Sequence, residues 1–132
     1  MPVSPPLRRA SATLAVWLLL AASAACVPAT TLPDDCDAQS VSRAVTLSGD
    51  SLDPSTIEVC RGQQVTIELT AEDDAEVHFH GYDDQVPEQA VPAGETVTLS
   101  FDANQAGNFP IEIHPADGSE EVEAGTLVVN EP

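Results

Sequence analysis

The sequence predicts an all-β sandwich of about seven strands. Between residues 45 and 129, short runs of alternating apolar and polar residues follow one another, and no run keeps a helical period over two turns. Turn-forming residues such as Gly62, Gly81, Gly94 and Gly118 separate these runs. Strands that are apolar on one face bury that face when two sheets pack together, so a sandwich follows.

Each candidate strand is short and ends at a turn-forming segment. In the third, Val65, Ile67 and Leu69 alternate with Thr66 and Glu68. Pro110 has no N–H for a sheet ladder and places its strand at an edge or a bulge. The candidates are residues 45–48, 57–59, 65–69, 75–80, 96–101, 109–114 and 126–129.

The amino terminus has the features of an export signal. Arg8 and Arg9 precede an apolar run over residues 14–25. This run is too short to span a bilayer as a helix, which needs about 20 apolar residues. We therefore expect residues 1–25 to form a cleavable signal peptide.

Small residues directly before Cys26 resemble the cleavage site of a bacterial lipoprotein, although Ser23 stands where leucine is usual. We expect lipidation of Cys26, and ordinary secretion with cleavage near Ala25 is the alternative. Residues 26–40 then form a tether and residues 41–132 the folded domain. The expected location is extracytoplasmic, as a cell-surface or periplasmic lipoprotein.

The charge balance limits the partners of this protein. The chain has 22 acidic residues against four arginines and no lysine, a net charge of −18. Such a surface repels nucleic acid and anionic headgroups and attracts cations. We expect a metal ion as a partner, contact with the membrane through the lipid only, and no nucleic acid. An envelope protein is a further candidate partner.

Two cysteines remain once Cys26 is acylated. In an oxidising compartment Cys36 and Cys60 are expected to form a disulfide, and closing that loop stabilises the domain by about 3 kcal/mol. A metal-binding thiolate at Cys60 is the competing interpretation.

All three histidines lie in two of the candidate strands. Because side chains alternate across a strand, His78 and His80 share one face, and Glu112 and His114 share one face of the later strand. If the two strands are neighbours, the four residues form a site for copper, with zinc as the alternative. The simpler interpretation is a solvated face of two half-buried strands.

The chain resembles the cupredoxin family over residues 42–130. Residues 56–65 resemble the strand, glycine turn and strand before the first copper ligand, and residues 78–81 resemble the HxHG motif of multicopper oxidases. Residues 107–114 and 125–129 resemble the later copper-binding segment and the final strand. The resemblance implies a Greek-key sandwich.

The differences between this sequence and that family argue against one function, blue-copper electron transfer. A blue-copper site needs a thiolate near the position of Ile113 and usually a methionine soon after, but the only methionine is Met1. Cys60 lies two strands too early. Plastocyanin-like electron transfer is therefore not expected.

The resemblance also suggests which metal centres the histidines could belong to. His78, His80 and His114 fall on positions that resemble ligands of type 2 and type 3 coppers, and Glu112 replaces a histidine. Those coppers lie between two domains, so oxygen reduction by one domain is not expected. Tyr82 and Asp83 are loop residues that could support the site by hydrogen bonds.

Three hypotheses follow. The leading one is a lipid-anchored copper-binding protein for storage, delivery or sensing, which is not an enzyme. The alternative is a metal-free interaction or accessory module of the envelope. The third is an enzyme with a mononuclear type 2 copper.

Overall fold

The computed structural model describes residues 1–3 and 31–132. The predicted signal peptide beyond residue 3 and the predicted lipidation site Cys26 lie outside these residues. Among the described residues, no helix has the length and apolar content to cross a lipid bilayer.

The described part of the chain contains nine strands, two more than predicted. The additional strands, β2 and β6, have three residues each, too few to show an alternating pattern. In order the strands are β1 (Ser40–Ser48), β2 (Ser51–Asp53), β3 (Thr56–Cys60), β4 (Gln64–Ala71), β5 (Ala75–Phe79), β6 (Gln89–Val91), β7 (Thr96–Asp102), β8 (Gly107–Pro115) and β9 (Val122–Asn130).

The strands form two packed sheets, which confirms the all-β sandwich. One sheet has the order β2-β1-β4-β7 and the other β3-β9-β8-β5-β6. Strand β1 pairs with β4 in parallel, and β3 pairs with β9 in parallel. The inward-facing residues of both sheets make one core, which includes Val65, Ile67, Val77, Phe79 and Ile111.

Of the two settings predicted for Pro110, an edge or a bulge, the structure shows the bulge. Strand β8 lies inside the five-stranded sheet, between β9 and β5. The register with β9 is irregular between Ile111 and Glu112, directly after Pro110. The carbonyl of Pro110 accepts a hydrogen bond from the backbone N–H of His80 at 3.1 Å. The missing N–H is thus accommodated next to a bulge, the other setting expected for a strand proline.

The last part of the predicted tether is attached to the sandwich. Cys36 and Cys60 form the expected disulfide, with Cα atoms 5.3 Å apart. Arg43 donates two hydrogen bonds of 2.9 Å to the carboxylate of Asp35, and this holds the pKa of Asp35 below its ordinary value. The side-chain amide of Gln63, which is buried, donates to the carbonyls of Asp35 and Ala38 at 2.7 and 3.1 Å. Residues 35–38 are therefore fixed against the sandwich by these contacts.

Candidate metal centre

Strands β5 and β8 bring the predicted residues to one outer sheet face. They pair antiparallel, and His78 lies opposite Glu112 while His114 lies opposite Glu76. Phe79, which lies between His78 and His80, is buried, whereas the side chain of His78 is 23% exposed. The predicted outward direction of these side chains is confirmed.

A glycine turn directly after β5 shapes one side of this face. Gly81 has a φ of +78°, and a Cβ there would lie 2.5 Å from Cδ1 of Phe109. Only glycine fits both conditions. The turn buries Tyr82, which is 1% exposed and donates its hydroxyl to the carbonyl of Gln105 at 3.0 Å. Tyr82 is therefore a core residue and not part of the site.

The same turn returns Asp83 to the histidine face. Nε2 of His78 donates a hydrogen bond to Oδ1 of Asp83, and the other oxygen, Oδ2, accepts from the backbone N–H of Gly81 at 3.1 Å. The hydrogen bond with His78 holds the pKa of Asp83 below its ordinary value. Asp83 thus fixes the orientation of the His78 ring.

His80 lies beside His78, with ring centroids 4.2 Å apart, and its Nε2 donates a hydrogen bond to Oε2 of Glu112. That bond raises the pKa of His80 above its ordinary value, against the smaller opposing effect of burial. Glu112 is therefore a direct partner of an imidazole and not only a residue of the same face.

Glu121 is the residue that the sequence analysis missed. In the β8–β9 hairpin, Glu112 lies opposite Glu123 and Ile113 opposite Val122. Continuing this register by one residue places Glu121 opposite His114, on the face that carries Glu112. The acidic run before the last strand was the available signal, but the predicted strand began only at residue 126.

The two carboxyl groups of Glu112 and Glu121 interact directly. A hydrogen bond between them raises the pKa of Glu121 and lowers that of Glu112, with His80 as the second cause for Glu112. Glu121 is therefore the member of the pair that holds a proton to the higher pH. A cation placed between the two carboxylates would relieve their mutual repulsion.

Four side chains form one group with metal-ligand spacing. His78, His80, Glu112 and Glu121 each offer one ligand atom, and these atoms lie within 4.8 Å of one another. The structure does not bring His114 into this group, because the register places it opposite Glu76, four residues along the chain from His80. Its Nε2 lies instead 3.4 Å from Oε2 of Glu121.

The donor atoms of this group are imidazole nitrogens and carboxylate oxygens. Two imidazoles and two carboxylates suit Cu(II) or Zn(II). Among the described residues no thiolate is available to this group, because Cys36 and Cys60 are joined in the disulfide and Ile113 is buried in the core. The residues therefore fit a copper site with nitrogen and oxygen ligands only.

Solved structures with the same fold include copper proteins. The chain is similar to a copper binding protein in the apo form, at 18% identity and a TM-score of 0.54, over 70% of this chain and 89% of that one. It is also similar to the blue copper oxidase from Nitrosomonas europaea, at 21% identity and a TM-score of 0.53, over 70% of this chain and 39% of that one. A multi-copper oxidase from Pseudomonas thermotolerans matches at 18% identity and a TM-score of 0.50, over 70% of this chain and 30% of that one. The chain thus spans about a third of the length of these oxidases. At such identities the likeness shows the fold alone.

No curated protein matches the sequence. The model of the cupredoxin-like domain family does match, over residues 10–129. This match includes β1 to β8, nearly all of β9, and every residue of the four-residue group. The chain therefore belongs to the cupredoxin-like domain family.

Proposed function

We propose that this protein is a lipid-anchored, extracytoplasmic copper-binding protein that stores, delivers or senses copper without a thiolate ligand. The observation that carries the proposal is the four-residue group of His78, His80, Glu112 and Glu121 on the outer sheet face. Zn(II) is the alternative ion, because the same donors suit both metals.

Each residue of the group has a defined role. Asp83 accepts a hydrogen bond from the Nε2–H of His78. The lone pair on Nδ1 of that ring is then available to bind a metal. His80 and Glu112 supply an imidazole and a carboxylate that now bond to each other. Glu121 supplies the second carboxylate. A bound copper ion would supply a redox-active, Lewis-acidic centre.

The position of the group on the sheet supports exchange of an ion with a soluble partner. Cys60, where the tether is joined, pairs with Asn130, and Gly107 pairs with Val129, so these residues share one end of the sheet. Glu112 lies five residues further along β8 than Gly107, a distance of roughly 17 Å in a strand. An anchored domain would therefore present the group away from its point of attachment.

The lipid anchor is proposed from the sequence around Cys26. Intact mass spectrometry of protein extracted from membranes tests it, since the processed chain should begin at Cys26 and carry acyl groups. A Cys26→Ser variant should lose the acyl mass and leave the membrane fraction. A wild-type chain cut near Ala25 and free of lipid would contradict the anchor.

Copper binding is tested by calorimetry and electron paramagnetic resonance of the full chain in detergent, without a histidine tag. A Cys26→Ser background removes the thiol that chain produced without lipidation would carry and that would compete for copper. We expect a tightly bound Cu(II) with nitrogen ligation and no intense blue absorption. His78→Ala/His80→Ala should abolish it, whereas Glu68→Gln, a charge change on β4 in the other sheet, should not.

A metal-free interaction module is the second candidate. The observation in its favour is that His78 and His80 each already have a carboxylate partner, in Asp83 and Glu112. In that case the wild-type protein and the double histidine variant would take up Cu(II) equally weakly. Added Cu(II) or Zn(II) would then leave the unfolding transition unchanged.

A further inference from the structure

A second set of ligand-type side chains lies beside the four-residue group. Nε2 of His114 is 3.4 Å from Oε2 of Glu121 and 3.8 Å from Oε1 of Glu88. Both distances exceed the range of about 2.7–3.2 Å for an N–H···O hydrogen bond. Nε2 of His114 therefore lies close to both carboxylates without a direct hydrogen bond to either.

These spacings are those of ligands around an ion. Two donor atoms that each lie about 2.1 Å from a metal are about 3.4 Å apart at a tetrahedral angle and about 4.2 Å apart when opposite. The distances from His114 to Glu121 and to Glu88, 3.4 and 3.8 Å, fall within this interval. Each of these two carboxylate oxygens is thus at a distance from Nε2 of His114 that two ligands of one ion have.

Glu121 faces two histidines at once. Its Oε1 lies 3.9 Å from Nε2 of His80, and its Oε2 lies 3.4 Å from Nε2 of His114. A carboxylate oriented in this way can contact a different ion with each oxygen. In two-metal sites the ions lie about 3.5–4 Å apart, a separation that one bridging carboxylate can span.

We propose that His114, Glu121 and Glu88 hold a second divalent transition-metal ion, and that Glu121 bridges it to the first. The inference rests on the proposed function because Glu121 is common to both positions. Glu88 adds a carboxylate to the shared Glu121 at this position, and an imidazole with two carboxylates is a ligand set that divalent transition metals accept. His114 also borders an open groove of about 580 Å³, which leaves room for water or an exchangeable ligand on this ion.

The two positions differ in their donors. The first offers two imidazoles, in His78 and His80, and the second offers one, in His114. Because imidazole is the better ligand for Cu(II), the first position should fill before the second. The second is therefore the more readily exchanged of the two.

The test is a titration of the full chain with Cu(II), in the Cys26→Ser background and without a histidine tag. We expect two bound ions per chain. Glu88→Gln should lower the affinity for the second ion at least tenfold and that for the first ion less than about threefold. His114→Gln should abolish binding of the second ion. Glu68→Gln is the matched control, since it removes the same charge from the other sheet.

Electron paramagnetic resonance gives an independent readout. Addition of the second equivalent of Cu(II) should produce a half-field transition, and the integrated signal should correspond to fewer than two spins per chain. Both effects are expected because two Cu(II) ions that share a bridging carboxylate couple magnetically. A single ion that is lost in His78→Ala/His80→Ala but kept in His114→Gln would overturn this inference and leave the proposed function standing.

Two other results would also overturn it. A single ion lost in both variants would make His114 a ligand of the first ion. Two uncoupled ions that respond equally to Glu88→Gln and Glu68→Gln would show diffuse binding to the acidic surface. Absence of any bound ion in the wild-type chain would overturn both proposals.

Discussion

Asp83 accepts a hydrogen bond from Nε2 of His78, five residues earlier in the chain. The Gly81 turn makes this contact, since the backbone N–H of Gly81 bonds the second oxygen of the same carboxylate at 3.1 Å. One aspartate thus couples the turn after β5 to the ring orientation of a candidate ligand. Residues of this kind commonly change metal affinity 10- to 100-fold when they are removed.

Asp83→Asn should therefore weaken Cu(II) binding by about 10- to 100-fold. An amide can still contact the ring but can no longer stabilise it as a carboxylate does. Competition titration with a chelator measures the effect. Asp84→Asn is the matched control, because it removes the same charge from the adjacent exposed residue. Equal weakening in the two variants would mean that only surface charge matters.

The pKa of His80 should lie above 6.5 in the metal-free protein, and Glu112→Gln should lower it. NMR titration of the imidazole signals measures both values. Because the folded-state pKa is raised, the ion pair contributes its full stability below pH 6.5 and loses it as the pH rises through the raised pKa.

The same ion pair predicts a pH-dependent difference in stability. In urea unfolding, the difference in free energy of unfolding between the wild type and Glu112→Gln should be larger at pH 6 than at pH 9. His80→Gln in the Glu112→Gln background should add no further pH-dependent loss. A difference that is constant between these pH values would contradict the pairing.

Gly81→Ala should destabilise the fold more than Gly94→Ala. Both glycines have positive φ, which costs an alanine about 1–2 kcal/mol. Only at Gly81 would the new Cβ also meet the ring of Phe109, and such overpacking costs about 1–3 kcal/mol more. Denaturant unfolding gives both values. Equal losses would show that Phe109 moves aside without cost.

Cys36→Ala/Cys60→Ala should lower the free energy of unfolding by about 3 kcal/mol, as expected for a loop of this length. The sequence separation of the two cysteines is 24 residues. Affinity for Cu(II) should stay within about twofold in conditions where the variant is folded, because the disulfide lies at the other end of the sheet. A loss of copper in the folded variant would instead implicate a cysteine thiolate.

The direction of the candidate ligands could be predicted because it is a local property. Alternation of side chains across a strand needs no partner strand, so the outward direction of His78 and His80 follows from buried Val77 and Phe79. The sandwich followed for the same reason, since each one-sided strand needs a second apolar surface. Strands β2 and β6 escaped prediction because three residues carry no periodicity.

The membership of the site could not be read from the sequence in the same way. Glu121 enters the group through the β8–β9 register, which changes at the bulge between Ile111 and Glu112. His114 is kept out of it by its pairing opposite Glu76. Both outcomes depend on which strands pair and where the ladder shifts.

The sequence by itself determined an all-β, acidic domain with imidazoles and carboxylates on a solvent-facing sheet surface, because alternation and composition act residue by residue. Only the tertiary structure decided that Glu121 joins His78, His80 and Glu112, and that Asp83 turns back onto His78. Those contacts arise from strand pairing and from a glycine turn packed against Phe109. Both are interactions between segments far apart in the chain, and no local pattern specifies them.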